Sequence, residues 1–468
     1  YALDALNDFL ELDLLFQHLH RPKMKKLIND KLGIRLQEIP LRYQIYFLQF
    51  LCEKDEDGVD KTVQFINQAV DKKAKLNRVK TFLSLEFGQN LSEDIFAISE
   101  NLDSEQADLI FTRYAEIAEL AYQAEREVME SVKDKEKARK IDPRKISQDL
   151  LKRGKDLLVK FAREVQEAKE KGVSVSGEEI LFDLDNYHRD LIFQAAAIKE
   201  GKRQGLGFED FKGASFKIMT AKEISRQSKL FKKMHEYYRN NWQRKPSIQK
   251  KALENFDKKI EQAREDVIFF IFERNEELVA FIGAENLDDA RVHFFGFNVN
   301  PVMQGSKIGW NMKELSVNFV REEKNNKNDP VLALFKDKKK IEIECDPTDS
   351  RSTPVYVSKD GYVVTGTSTD FGEDWLFKAV MEFSPTSNYY FQSKPEAEIL
   401  EYHIKNNMGN KFQKDDKMIV LKFEPGSKEM KELTDKLLNQ EHYKITNYFF
   451  AEGGKVVYSA FEKEGSAS

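Results

Sequence analysis

The sequence has few cysteines and no long apolar run. Two cysteines, Cys52 and Cys345, occur among 468 residues, and they lie far apart. No disulfide framework or CxxC metal-binding pair is therefore predicted, and the cytoplasm is the expected location. No apolar stretch reaches the ~18 residues of a membrane span, and the opening residues 1–4 lack the pattern of a signal peptide. Neither membrane insertion nor export is expected.

The sequence also lacks a strong charge of one sign. Its 80 acidic and 75 basic residues leave a formal net charge of −5. A nucleic-acid-binding protein usually carries a broad basic field, so a nucleic-acid partner is not expected. The 41% hydrophobic residues are enough for a globular core, and the length suggests about three domains at ~150 residues each.

Residues 1–205 are predicted to form an all-helical module. Apolar residues recur there at intervals of three and four, as at Leu12, Leu15, Phe16 and Leu19. Turn signals predict breaks near residues 32–33, 55–58, 88–90 and 142–143. Alternating charges in residues 125–171 are typical of exposed helices with ion pairs four residues apart.

A glycine-containing stretch, residues 200–213, is predicted to link this module to a mixed α/β domain at residues 206–388. The predicted order there is a strand, two helices, a hairpin around Asn275-Glu276, a strand, a helix, a strand, a short helix and two strands. Residues 389–468 are predicted to form a small α/β extension, which either completes the preceding sheet or packs as a separate lobe. The predicted fold class is α+β.

The turn between the strand ending at Val299 and the helix beginning near Gly309 has a composition suited to phosphate binding. The N–H groups at the start of a helix are unpaired and lie at the positive end of the helix dipole, where they can bind an anion. Gly305 and Ser306 are small enough to allow an anion to approach closely. No metal is needed for this. On the residues alone, an ordinary strand-to-helix connection is favoured over a phosphate-binding turn.

Two motifs together resemble the GNAT superfamily of acyl-CoA-dependent N-acyltransferases. The first is the family's V-x-P-x-x-[QR]-x-x-G-x-[GA] turn, matched by Val299, Pro301, Gln304 and Gly309. The second is a helix with a tyrosine before Gly-Tyr, matched by Tyr356, Gly361 and Tyr362. The resemblance covers about residues 214–385 and implies a GNAT-like domain between the helical module and the extension.

The resemblance implies acetyl-CoA, or another acyl-CoA, as co-substrate and requires no metal. It assigns the pantetheine arm to Asn298 and Val299. It assigns the pyrophosphate to the turn; these residues are Gln304, Gly305, Ser306, Lys307, Ile308 and Gly309. Asp349 stands where many members have a cofactor-contacting asparagine. Lys307 departs from the family, which has glycine there.

The resemblance also implies catalytic roles. Tyr356 stands where the family's tyrosine protonates the departing thiolate, and a core aromatic is its alternative role. His293 lies on the strand where some members place a general base; a polar residue on a half-exposed strand is the alternative. Cys345 is expected to be a buried strand residue rather than a nucleophile.

The predicted function is transfer of an acyl group, most simply acetyl, to a primary amine by direct attack. Residues 236–246 and the acids Asp370, Glu373 and Asp374 are alternative acceptor-binding groups, between which the sequence does not decide. The alternative function is a non-catalytic interaction protein, with a degenerate GNAT scaffold and a helical module that binds a protein partner; Lys307 and Asp349 favour it. Aminoacyl transfer from tRNA is a further alternative, but no stripe of basic residues in the sequence supports it.

Overall fold

The chain divides into two compact units, residues 1–212 and 213–468. A computed structural model describes residues 25–53, 56–86, 92–131, 143–203, 213–241, 246–303, 308–321, 329–335, 338–350, 352–360, 362–371, 374–382, 411–415 and 418–463. The predicted α+β class is confirmed, since the described part of the first unit is helical and the second is built on a sheet. The helical pattern at residues 12–19 lies outside the described residues.

The first unit begins with a π-helical turn, Leu27–Leu32, and a 3₁₀ turn, Leu36–Glu38. Seven longer helices follow within the described part of this unit: α1 Leu41–Glu53, α2 Glu56–Asn67, α3 Lys72–Glu86, α4 Ser92–Asn101, α5 Ser104–Ser131, α6 Pro143–Glu170 and α7 Glu178–Arg203. Gly33 ends the first turn in the left-handed conformation, with φ +66°, and Pro143 opens α6, where its missing N–H costs no helical hydrogen bond. Both breaks are therefore local sequence effects.

The core of the first unit contains a buried ion pair between α3 and α5. Arg78 is 0% exposed, and its Nε donates to Asp108 Oδ1 at 2.5 Å. Its Nη1 donates to the Phe65 carbonyl and to Ser99 Oγ, at 2.9 and 2.6 Å. A buried charge is tolerated when it is paired and hydrogen-bonded. Nε and Nη1 of this guanidinium meet that requirement, whereas the buried Nη2 has no hydrogen-bond partner among the described residues.

The second unit is one mixed sheet. Its described strands are β1 Ala214–Thr220, β2 Val267–Arg274, β3 Glu277–Asn286, β4 Arg291–Val299, β5 Lys340–Cys345, β6 Val363–Phe371, β7 Asp374–Glu382, β8 Lys411–Asp415, β9 Met418–Phe423, β10 Tyr443–Ala451 and β11 Val456–Lys463. They lie in the order β1-β2-β3-β4-β5-β7-β6-β10-β11-β9-β8. Among these ladders, β4–β5 is parallel and the others are antiparallel.

Helices cover both faces of this sheet. They are α8 Ala221–Ser225, α9 Ser228–Asn241, α10 Pro246–Glu261, α11 Ile308–Arg321, α12 Pro330–Ala333 and α13 Lys428–Asn439. Phe256 of α10 packs on Phe269, with ring centroids 5.8 Å apart. Phe319 of α11 packs at 5.8 Å on Phe270, which faces the other way on the same strand. The strands that carry the candidate site therefore lie between α8–α10 and α11.

The C-terminal strands continue the same sheet. β10 joins β6 through the pair Ile445–Val364, and β11, β9 and β8 follow it. The sequence left open whether this extension completes the sheet. Its strand pairing shows that it does.

Several predicted element boundaries differ from the structure. Gly58 lies inside α2, whose inner face buries Thr62, Phe65 and Ile66, so packing outweighs the glycine there. Gly201, expected in the linker, lies in the last turn of α7, and residues 204–212 of that linker are outside the described residues. Strand β8 and helix α12 were not predicted.

Two kinds of feature are absent from the described residues. None of the helices there is both long and apolar enough to cross a membrane. The same part of the chain has no group of three or more His, Cys, Asp or Glu side chains placed to hold a metal ion.

Candidate active site

A β-bulge in β4 shapes the candidate site. Phe281 and Gly283 of β3 pair with Asn298 and Phe295, so two residues of β4 lie opposite one of β3. One of the two is Gly296, whose φ is +59°. A Cβ at this position would overlap the ring of Tyr238, so only glycine fits both the conformation and the space.

The parallel ladder between β4 and β5 stops beside this bulge. Its register runs from Arg291–Lys340 to Phe294–Ile343. β4 continues to Val299 along β3, and β5 continues to Cys345 along β7. The sheet therefore has an interruption between two parallel strands at their carboxyl ends, where ligands commonly bind in α/β sheets.

Helix α11 begins against the end of β4. A Cβ on Gly309 would lie 2.8 Å from the Phe297 ring and 2.9 Å from a Val299 methyl group. Glycine thus lets the first turn of α11 sit directly on the strand, with its N–H groups near the ladder interruption. Asn298 is 2% exposed, and its Nδ2 donates to the Gly296 carbonyl at 2.6 Å, which holds the bulge.

The structure therefore brings together four of the residues that the motif predicted. Asn298, Val299 and Gly309 form this contact region, and Ile308 is the first residue of α11. The remaining turn residues, Gln304, Gly305, Ser306 and Lys307, lie outside the described residues.

Tyr356 lies in a π-helical turn, Val355–Lys359, between β5 and β6. The side chain is 8% exposed, and burial raises the pKa of its phenol well above the usual value. The ring meets Tyr362 edge to face at 5.8 Å, and Lys313 Nζ of α11 lies 4.5 Å from its centroid. Tyr356 is therefore a protonated phenol held against the helix that starts at Ile308.

Asp349 lies just before the turn that carries Tyr356. Its Oδ2 accepts from Ser352 Oγ at 2.5 Å, and its carbonyl accepts from the Thr353 N–H at 3.3 Å. The carboxylate that replaces the family's asparagine thus has a structural role of its own.

The sequence reasoning missed Lys313 and Asp360. These residues form an ion pair in which Lys313 is 1% exposed and Asp360 5% exposed. Burial lowers the pKa of Lys313, while the Asp360 carboxylate in contact with it favours the charged ammonium form. The available signal was a lysine at the same helical face as Ser316, Val317 and Val320, which are all buried.

Cys345 is buried beside this turn. Burial is the largest cause that raises the pKa of its thiol, to about 12. A thiol with this pKa stays protonated at neutral pH and is a poor nucleophile.

His293 lies on the α10 face of the sheet. Its strand neighbours are Glu285 of β3 and Glu342 of β5. Its pKa is lowered to about 4, first by burial and then by the positive charge of Lys259, while the two glutamates oppose the shift. The imidazole is therefore neutral at pH 7. His293 and Tyr356 do not meet, because Tyr356 contacts α11 on the other side of the sheet.

Glu344 is a second group that the sequence reasoning missed. It follows Glu342 on the same face of β5 and lies beyond the last β4–β5 pair, Phe294–Ile343. Burial raises the pKa of Tyr238, and the negative charge of Glu344 raises it further. Glu344 therefore lies near the bulge that Tyr238 covers. Of the predicted acceptor-binding groups, the side chains of Asp370, Glu373 and Asp374 and residues 242–245 lie outside the described side chains.

Comparison with known proteins supports the resemblance drawn from the motifs. Residues 228–338 match the model of the acetyltransferase (GNAT) family. The match runs from α9 to the residues before β5 and stops short of Tyr356. No curated protein matches the chain.

Solved structures of acetyltransferases are also similar to part of the chain. The Campylobacter jejuni N-acetyltransferase PseH is 14% identical and covers 36% of this chain and 99% of its own, with a TM-score of 0.24. An acetyltransferase from Streptococcus agalactiae is 15% identical and covers 37% of this chain and 100% of its own, with a TM-score of 0.26. PseH has also been solved in complex with acetyl coenzyme A, at 15% identity to this chain, covering 36% of it and 99% of its own, with a TM-score of 0.24.

Proposed function

Because residues 228–338 match the model of the acetyltransferase (GNAT) family, we propose that this chain transfers an acetyl group from acetyl-CoA to a primary amine. Bound acetyl-CoA supplies an activated thioester. The chain has to bind it, admit the amine, and move one proton on each side of the reacting carbonyl.

The end of the β4–β5 ladder is the observation that carries this proposal. An extended pantetheine arm fits an interruption between parallel strands, because it can form strand-like hydrogen bonds there. The start of α11, which lies against Val299, offers N–H groups to a pyrophosphate at the end of that arm. Asn298, Val299, Ile308 and Gly309 would hold the cofactor, together with the turn residues 304–307.

Tyr356 is proposed as the general acid. A tyrosine phenol is protonated at neutral pH, as proton donation requires. The C–S bond of the thioester breaks as the amine nitrogen bonds to the carbonyl carbon, and Tyr356 gives its proton to the departing sulfur. Lys313, 4.5 Å from the ring centroid, stabilises the negative charge that this transfer leaves on the phenol.

His293 is proposed as the group that removes the amine's proton. With a pKa of about 4, it is in the proton-accepting form at pH 7 and passes an accepted proton quickly to water. Glu344, beyond the last β4–β5 pair, favours a cationic acceptor by charge, whereas Glu342 on the same face is paired with Arg291 at 2.9 Å. Acid and base would then act from opposite faces of the sheet.

A direct assay tests this function. The full chain is incubated with acetyl-CoA and a panel of primary amines, such as spermidine, tyramine and a lysine-containing peptide. Thiol release and the acetylated amine are measured together. Acetylation of an amine, with equal thiol release, is the expected result. Binding of acetyl-CoA without transfer to any amine would instead favour the non-catalytic scaffold.

A further inference from the structure

A residue of the C-terminal strands, Tyr448, contacts the segment that carries Tyr356. Tyr448 of β10 is 0% exposed and contacts this segment at two places, Pro347 and Ser358. Tyr356 lies between these two residues in sequence. The position of the Tyr356 phenol therefore depends on a strand that is distant in sequence, since Tyr448 and Ser358 are 90 residues apart.

The contact at Ser358 replaces strand pairing. The Tyr448 N–H donates to Ser358 Oγ at 2.9 Å, and Ser358 Oγ donates to the Tyr448 carbonyl at 3.1 Å. β10 pairs with β6 at Ile445–Val364, and its register with β11 shifts between Ile445 and Asn447. Beyond that bulge, a serine hydroxyl satisfies both backbone groups of Tyr448, and it is itself 3% exposed.

The contact at Pro347 is made by the side chain. Tyr448 Oη donates to the Pro347 carbonyl at 2.5 Å, and the ring packs edge to face on Phe377, with centroids 5.3 Å apart. The loop after β9 touches the neighbouring residue, since a Cβ on Gly426 would lie 2.6 Å from the Thr348 methyl group. Tyr448 thus contacts both ends of the segment between Pro347 and Ser358, and the loop after β9 contacts one of them.

We propose that Tyr448 is a positioning residue for acyl transfer, which holds residues 347–358 so that Tyr356 meets the departing sulfur. The inference rests on the proposed function and extends it to strands outside the family match at residues 228–338. The strands after residue 410 are then part of the catalytic unit rather than an appendage.

The substitution Tyr448→Phe tests this with little disturbance. It keeps the ring on Phe377 and the backbone bonds to Ser358, and it removes the hydroxyl from Pro347. A displacement of about 1 Å in a reacting group can lower a rate by up to ~10²-fold, so a fall in kcat of about tenfold is expected. Acetyl-CoA affinity should stay within about twofold, because no cofactor-binding residue changes.

The experiment is a double-mutant cycle with Tyr356→Phe in the full chain, with acetyl-CoA and the best amine of the panel. Tyr458→Phe is the matched control, since Tyr458 is a 7% exposed tyrosine on the neighbouring strand β11. If Tyr448 acts through Tyr356, Tyr448→Phe lowers kcat in the unmodified chain and causes no further loss in Tyr356→Phe. The loss should also shrink above the thiol pKa of about 8.5, where the sulfur needs no proton.

Three results would overturn the inference. These are an unchanged kcat, an equal loss in both backgrounds, or a loss that is the same at every pH. If Tyr448→Phe does not fold, Ser358→Ala takes its place in the cycle under the same criteria, with Ser358→Thr as the variant that keeps the hydroxyl. An unmodified chain without turnover would overturn the proposed function, and this inference with it.

Discussion

Lys313 and Asp360 form a buried ion pair that joins α11 to the turn carrying Tyr356. One residue belongs to the helix that begins at the cofactor-binding turn, and the other follows the π-helical turn Val355–Lys359. The pair therefore connects the two motifs from which the family resemblance was drawn. Its ammonium group also lies over the Tyr356 ring.

Breaking this pair should destabilise the second unit strongly. Lys313→Met leaves Asp360 buried without that partner, and losing one partner of a buried pair costs about 3–5 kcal/mol. Lys313→Met with Asp360→Leu should recover most of this loss, because apolar side chains have no desolvation penalty. Lys428→Met is the control: its exposed pair with Glu432 should contribute less than about 1 kcal/mol.

Tryptophan fluorescence in urea measures this effect in the full chain. All three tryptophans, Trp242, Trp310 and Trp375, follow residue 213 in sequence, so the signal reports on the second unit. A Lys313→Met midpoint equal to that of Lys428→Met would contradict the account of the pair.

Gly296→Ala should prevent β4 from adopting the bulge that shapes the candidate site. The φ of +59° disfavours alanine, and the added Cβ overlaps the Tyr238 ring. Together these effects predict a loss of about 2–4 kcal/mol and weaker acetyl-CoA binding. Gly366→Ala on β6 is the matched control, because a Cβ there meets nothing within 4 Å. Equal unfolding midpoints for the two variants would show that the bulge does not require glycine.

His293 should make the second unit less stable in mild acid. Its folded pKa, about 4, is below the unfolded value near ~6.5, so the unfolded chain binds the proton more readily between these values. This contribution to stability is complete above about pH 6.5 and is lost as the pH falls toward 4. The loss is of order 1–3 kcal/mol. His293→Gln should lack this part of the pH dependence; identical pH profiles for the two proteins would contradict the lowered pKa of the imidazole.

The element order was largely predictable from the sequence, because period-two and period-3.6 patterns are local. The hairpin at Asn275-Glu276 is an example, because turn-forming residues between two apolar runs predict a tight turn. Both residues have the positive φ of such a turn, 51° and 65°. The bulge at Gly296 and the contacts of Tyr448 were not predictable, since they depend on which distant elements meet. The same limit applies to Lys313, whose apolar helix face was visible but whose partner Asp360 was not.

Tyr356→Phe should lower kcat by ~10²-fold or more at pH 7 and leave acetyl-CoA affinity nearly unchanged. The ring keeps its contacts with Lys313 and Tyr362, and only the transferable proton is lost. The loss should decrease as the pH rises past about 8.5, where the thiolate leaves without a proton. Tyr362→Phe is the control, because its buried hydroxyl has no hydrogen-bond partner within the described part of the chain. Equal rates for Tyr356→Phe and the unmodified chain would assign the proton to water.

The most direct test of the central claim is calorimetric titration of the full chain with acetyl-CoA. The account predicts saturable binding with Kd below about 1 mM, weakened by salt because phosphate groups contact a helix start. Gly309→Val should bind at least about tenfold more weakly, since its side chain would separate α11 from Phe297 and Val299. Absence of both heat and a melting-temperature shift at millimolar acetyl-CoA would contradict the proposed cofactor site.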